Sequence, residues 1–286
     1  MNSDNIALGH TSASVAILGA IFGKFLGNKE RDSEHIKLPE KLEFLRDSNI
    51  VTACTMGLLF LVGAAILSTK DTEGAKALIA QAGQTNFYVY SIKQSFMFAG
   101  GIAVVLMGVR MFIGEIVPAF NGIAEKLVQG ARPALDCPVV FPYAPNAVLM
   151  GFLVSFLGGI VGLFVLGGIN KALIPVALIL PGVIPHFFCG ATAGVFANAE
   201  GGLKGCLVGS FLHGLLITFL PAICMPVMGS LNFANCTFSD ADFSITGIIL
   251  GNIAQFVKGG GLFAVCVVLF LLPIIYNVIM PKKKEA

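Results

Sequence analysis

The chain has 286 residues, 56% of them hydrophobic and only 12% charged, with a formal net charge of +2. A soluble domain carries about twice that charged fraction, which excludes a soluble enzyme or scaffold. So small a net charge, with no basic groove or stacking motif, excludes nucleic acid as a partner.

What remains is an all-α polytopic membrane protein, its 34 glycines suited to close helix packing in lipid. Residues 1–28 form the first segment, a polar Gly9-His10-Thr11-Ser12 followed by an apolar run from Ala13 to Leu26. A spanning helix needs about 20 apolar residues, so this run is predicted to be a half-helix. Ser and Thr are natural N-cap residues, and the positive end of such a half-helix also suits an anionic ligand. Residues 29–49 mix charges with Pro39 and read as a solvated cytoplasmic connector, not a separate domain.

Membrane helices are predicted across 50–280, with clear spans at 50–67, 95–114, 147–169, 203–228 and 260–279. Between them, 117–147 starts amphipathic and turns proline-rich, a re-entrant region. The run 173–197 is interrupted by Pro175, Pro181 and Pro185 and is predicted to be a broken crossing. Residues 229–258, with Asp240 and Asp242, read as an external loop with some interfacial helix, and 281–286 is a basic tail. The whole of 1–286 is thus one integral-membrane domain of about six crossings. That number puts the Lys/Arg clusters of 24–46 and of the tail on the cytoplasmic side. Only Lys70, Lys76, Lys93, Lys171 and Lys258 are left outside.

The chemistry concentrates in Ala134 to Asn146, where Asp136, Pro138, Pro142, Pro145 and Asn146 lie between apolar segments. Irregular backbone at membrane depth survives only where protein or a water-filled cavity covers it. An ionisable group there is a functional-site hypothesis by default. Asp136 is therefore the first candidate for touching a substrate, although Pro138 behind it also fits an N-cap. Asn146 either caps the next helix or bonds a hydroxylated ligand. His186 and His213 read as satisfied histidines, the latter bonded to a neighbouring helix. The seven cysteines lack a C-x-x-C pair and read as buried thiols. Nothing forms a metal-ligand cluster, phosphate loop or nucleophile elbow, so no metal, no cofactor and no autonomous enzyme are expected.

Ordered motifs extend this reading: Gly9-His10, Phe25-Leu-Gly-Asn-Lys29, Lys37-Leu-Pro39, Gly108-Val-Arg-Met-Phe112 and Ala119-Phe-Asn-Gly122. Further along lie Asp136-Cys137, Ala144-Pro-Asn-Ala147 and Gly194-Val-Phe-Ala-Asn198. In this set the chain resembles the ascorbate-type EIIC permeases of the bacterial sugar phosphotransferase system. The resemblance implies a permease domain that binds ascorbate or a similar sugar acid near re-entrant hairpins. The family's ligand positions fall on His10 and Asp136, with Thr11 where glutamine is frequent; Asn146 joins them as a candidate contact from its own place after Pro145. It also implies phosphorylation by separate EIIB and EIIA proteins, a homodimer in membrane lipid, and a bacterial inner-membrane location with a cytoplasmic C-terminus. Members are longer, so the chain resembles the second half of an inverted-repeat transporter. It is expected to need an N-terminal-half polypeptide, as a split subunit or a truncated frame. Ion-coupled transport of organic acids and a non-transporting remnant are the competing readings.

Overall fold

Local chemistry sets most helix boundaries. The structure, a computed structural model, describes residues 7–9, 12–36, 39, 41, 44, 47–69, 72–126, 134–257 and 260–279. The order is β1 (Ala7–Leu8), α1 (Ala13–Leu26), a 3-10 turn at Ser33–His35, α2 (Ser48–Ser68), α3 (Glu73–Ala82) and α4 (Phe87–Lys126). Then come β2 (Ala134–Leu135), a 3-10 turn at Cys137–Tyr143, α5 (Pro145–Ala172) and the single turn α6 (Val183–Pro185). A π-helical turn at His186–Gly190 leads into α7 (Ala191–Ser230), and α8 (Ala241–Phe256) and α9 (Gly260–Ile279) complete the series. Asp47 starts α2 by accepting the amides of Asn49 at 2.8 Å and Ile50 at 3.1 Å. Thr72 starts α3 in the same way, and Gly83 ends it at φ +59°, a left-handed conformation that favours glycine.

The half-helix Ala13–Leu26 has the predicted bounds, and α2, α5 and α9 cover the predicted spans. The fourth helix does not stop where expected. It runs on through 117–126, past Pro118, for 40 residues. At 1.5 Å per residue that is about 60 Å, twice the thickness of a hydrocarbon core. Among the described residues, Pro145–Ala172 and the run Val183–Ser230 are long and apolar enough to cross a membrane. The bent pair Thr52–Ser68 and Glu73–Ala82 makes a third if counted as one span. The predicted tail at 281–286 lies outside the described residues.

The break predicted in 173–197 falls at 173–182, which carries no regular helix. Beyond it the chain forms a hairpin. Gly202 sits at φ +60°, ψ −158°, inside α7. A Cβ placed on Gly209 would lie 2.6 Å from the Ala197 Cβ, a residue twelve positions earlier. In a straight helix those two would be about 18 Å apart. The chain therefore folds back at Gly202, and α7 consists of a short arm ending at Gly201 and a long arm from Leu203.

Glycine permits the close packing around this hairpin. On α1, Gly19 and Gly23 face the tip and the long arm. A Cβ on Gly19 would lie 3.1 Å from the Gly209 carbonyl, and one on Gly23 3.0 Å from that of Ala197. On the other side, Gly151 of α5 meets Gly190 of the π-helical turn and Gly194 of the short arm, and Gly158 meets Phe211 and Gly214 of the long arm. Small residues let membrane helices approach to backbone contact, where dispersion replaces the missing hydrophobic drive. The α2–α4 pair joins this bundle through Leu59, Phe98 and Ile102 against Phe152, Phe156 and Phe187.

Candidate functional site

Two short strands bring distant segments together. Ala7 and Leu8 pair in parallel with Ala134 and Leu135, and the Gly9 amide donates to the Leu135 carbonyl at 2.8 Å. A Cβ on Gly9 would lie 2.7 Å from that of Ala134, so the approach requires glycine. The pairing leads directly into Asp136 on one side. On the other side it leads to His10 and Thr11, which lie outside the described residues. Asp136 caps the 3-10 turn, accepting the Cys137 amide at 2.7 Å. A carboxylate offers about four lone-pair sites, so capping and ligand binding are compatible. The start of α1 is tied to the start of α8: Ser14 donates to the Asp242 carboxylate, and the Ser12 hydroxyl accepts the Ala241 amide at 3.3 Å. Ser12 thus stands at the N-cap position of α1 but spends its oxygen on another helix. Asp240, expected in a loop, is the N-cap residue of α8 and accepts from the Cys189 thiol at 3.7 Å.

Asn146 is not part of this cluster. Its side-chain nitrogen donates to the carbonyls of Ser33 at 3.1 Å and Ile36 at 3.3 Å, using both amide hydrogens. The start of α5 is instead capped from the connector. The Glu34 carboxylate accepts the amide of Asn146 at 3.2 Å and that of Ala147 at 2.9 Å. Asn198, on the short arm of α7, completes the arrangement. It donates to Asp32 at 2.7 Å and accepts the Ser33 amide at 3.0 Å. The hairpin tip is held by backbone, with the Leu203 amide on the Arg31 carbonyl at 2.6 Å and the Asn28 amide on that of Gly201 at 2.9 Å, and by an exposed Lys29–Glu200 ion pair at 3.3 Å. Burial acts to raise the Asp32 pKa, but hydrogen bonds from Asn198, the Glu34 amide and Ser33, with His35 nearby, outweigh it. The carboxyl is held below its ordinary value. Three separate sequence motifs, at 25–29, 144–147 and 194–198, thereby meet at one place. The connector is a latch on the hairpin tip, with Ser33 fully buried, and not merely a solvated link.

A third polar group lies within the bundle. The Ser155 hydroxyl is 2.8 Å from His186 Nδ1 and 2.9 Å from His213 Nδ1. All three residues are buried. His213 therefore does bond to a neighbouring helix, as its place in an apolar span suggested. His186 opens the π-helical turn, a local distortion common at functional sites. Sequence reading missed Glu34 and Ser155, and it named Asn198 only as the end of the Gly194–Asn198 motif, without a role.

Residues 1–242 match the family model EIIC-GAT, the phosphotransferase-system sugar-specific permease component. The chain belongs to the EIIC-GAT family. This EIIC-GAT chain is 31% identical over 242 residues to the "Ascorbate-specific PTS system EIIC component" of Mycoplasma pneumoniae. The match covers 76% of this chain and 36% of that relative, so it spans little more than a third of the relative's length. An EIIC-GAT chain with these apolar helices is a membrane-embedded protein.

Proposed function

We propose that this chain forms part of a permease that carries ascorbate or a similar sugar acid across the bacterial inner membrane. The observation that carries the reading is the β1–β2 pairing, which brings the segment before His10 and Thr11 alongside Asp136. Asp136 accepts hydrogen bonds from ligand hydroxyls, and His10 donates to an anionic oxygen of the substrate. The ascorbate specificity in the relative's name supports the substrate class. Asn146 serves the site indirectly, by fixing the end of the segment that carries Asp136. Spans corresponding to the rest of the relative, in whichever polypeptide they lie, complete the site, and the assembled permease is a homodimer in lipid. The substrate is phosphorylated at the cytoplasmic face by a separate EIIB charged by EIIA, so the chain is a transport component and not the catalyst. The connector latch and the C-terminus face the cytoplasm.

Direct binding of ascorbate to the assembled permease tests this. Losing a ligand hydrogen bond to a buried group costs about 1–3 kcal/mol. Asp136→Asn and His10→Ala are each expected to weaken affinity at least about tenfold, the equivalent of about 1.4 kcal/mol. Unchanged affinity in both would reduce these residues to structural caps.

A further inference from the structure

Behind the π-helical turn, on residues that the ascorbate site does not use, the structure leaves a partly open cavity of about 280 Å³. Its polar lining is His186, Thr218, Thr237 and Ser239, with Pro181 and Pro221 among its apolar walls. The hydrogen-bond inventory of that lining is specific. Thr218 donates its hydroxyl hydrogen to the Gly214 carbonyl at 2.9 Å, and Thr237 donates to that of Pro221 at 2.8 Å. A hydroxyl has one hydrogen, so neither threonine has one left to donate, and each has only lone-pair capacity to offer an O–H that reaches it. His186 is fixed in place through Nδ1 by Ser155. Its ring lies against Gly159, where a Cβ would come within 2.5 Å of Nε2 and 3.1 Å of Pro181. Among the described residues no Asp, Glu, Lys or Arg lines the space, so an ionised ligand entering it would lack a counter-charge and lose its hydration. The volume is just below the usual range for ligand pockets.

We propose that this cavity is a second binding site, one that takes a small neutral molecule rich in hydroxyl groups. The threonines and Ser239 meet its hydroxyls, and the proline faces cover its C–H surface. Specificity here is opposite to that proposed at Asp136: the site selects a neutral polyol over a sugar acid of similar size.

The chain contains no tryptophan, so one introduced at the cavity reports on it alone. Leu180 lines the mouth and is 80% exposed, which leaves room for Leu180→Trp. With the full chain in lipid particles, xylitol is expected to change the emission of the introduced indole saturably. Thr218→Val and Thr237→Val, which keep shape and remove the acceptor, should each weaken that response at least tenfold. L-ascorbate should act at least tenfold more weakly than xylitol. Equilibrium dialysis of radiolabelled xylitol against the natural chain and the two valine variants gives the same answer without the reporter. A non-saturating xylitol signal, equal binding in both valine variants, or ascorbate binding as well as xylitol would overturn the proposal. Loss of the xylitol response in Asp136→Asn would merge the two sites and overturn it as well.

Discussion

Glu34 and Ala147, 113 positions apart, share a 2.9 Å hydrogen bond in which a connector carboxylate caps a membrane helix. The cap is supplied from outside because α5 opens with Ala144-Pro145, and alanine has no side-chain acceptor for the first amides. The carboxylate also sits at the positive end of the helix dipole. The same few residues hold the tip of the α7 hairpin, so the helix start and the hairpin are one mechanical unit.

Removing that cap should loosen the unit. Losing an N-cap acceptor costs about 0.5–2 kcal/mol. Glu34→Ala is therefore expected to lower thermal stability in lipid particles by that amount, and Glu34→Gln by less. Identical melting of Glu34→Ala and the natural chain would show that water caps α5 equally well.

The glycine contacts make opposite predictions at two sites. A Cβ at Gly209 would fall 2.6 Å from both the Gly19 carbonyl and the Ala197 Cβ, whereas one at Gly63 meets nothing within 4 Å. Overpacking typically costs about 1–3 kcal/mol. A helical glycine with open space at its Cβ position gains up to about 1 kcal/mol on becoming alanine. Gly209→Ala should therefore reduce monodisperse yield and thermal stability, while Gly63→Ala leaves them equal or higher. Equal behaviour of the two variants would contradict the close α1–α7 approach.

The orientation is open to labelling. Ser33 is fully buried and unsuitable, but Glu30 is exposed on the latch. In a background without native cysteines, Glu30→Cys should react with a membrane-impermeant thiol reagent only after the membrane is opened. Reaction in intact cells would place the latch outside.

Acid should release the latch through Asp32. Its carboxyl titrates below the ordinary value of 3.8 in the folded chain. The stabilisation is thus present above that value and is lost as pH falls through the lowered folded one. Hydrogen exchange of the 28–36 amides, corrected for intrinsic rates between about pH 2.5 and 5, should show protection collapsing at the acid end. Asp32→Asn keeps a neutral acceptor for Asn198, so its protection should depend less on pH. An unchanged acid profile in that variant would assign the release to another group.

Sequence by itself determined the membrane class, the half-helix Ala13–Leu26 and the bounds of α2, α5 and α9 to within a few residues. Apolar runs of span length leave a chain in lipid little choice but helix, because every backbone amide must be satisfied within the segment. The prolines likewise located the irregular stretch before His186. The break between the predicted crossings 173–197 and 203–228 was legible too, but nothing in Glu200-Gly-Gly-Leu203 said which segment would hold it. Tertiary structure alone decided the rest. The fold-back at Gly202 is held by backbone partners at Asn28 and Arg31 from the connector. The partners of Glu34, Asn146, Asn198 and Ser155 belong to the same category. Periodicity reports which face of a segment is buried, but not which distant segment buries it. Those pairings arise only when α1, α5 and the two arms of α7 close on one another through their glycines.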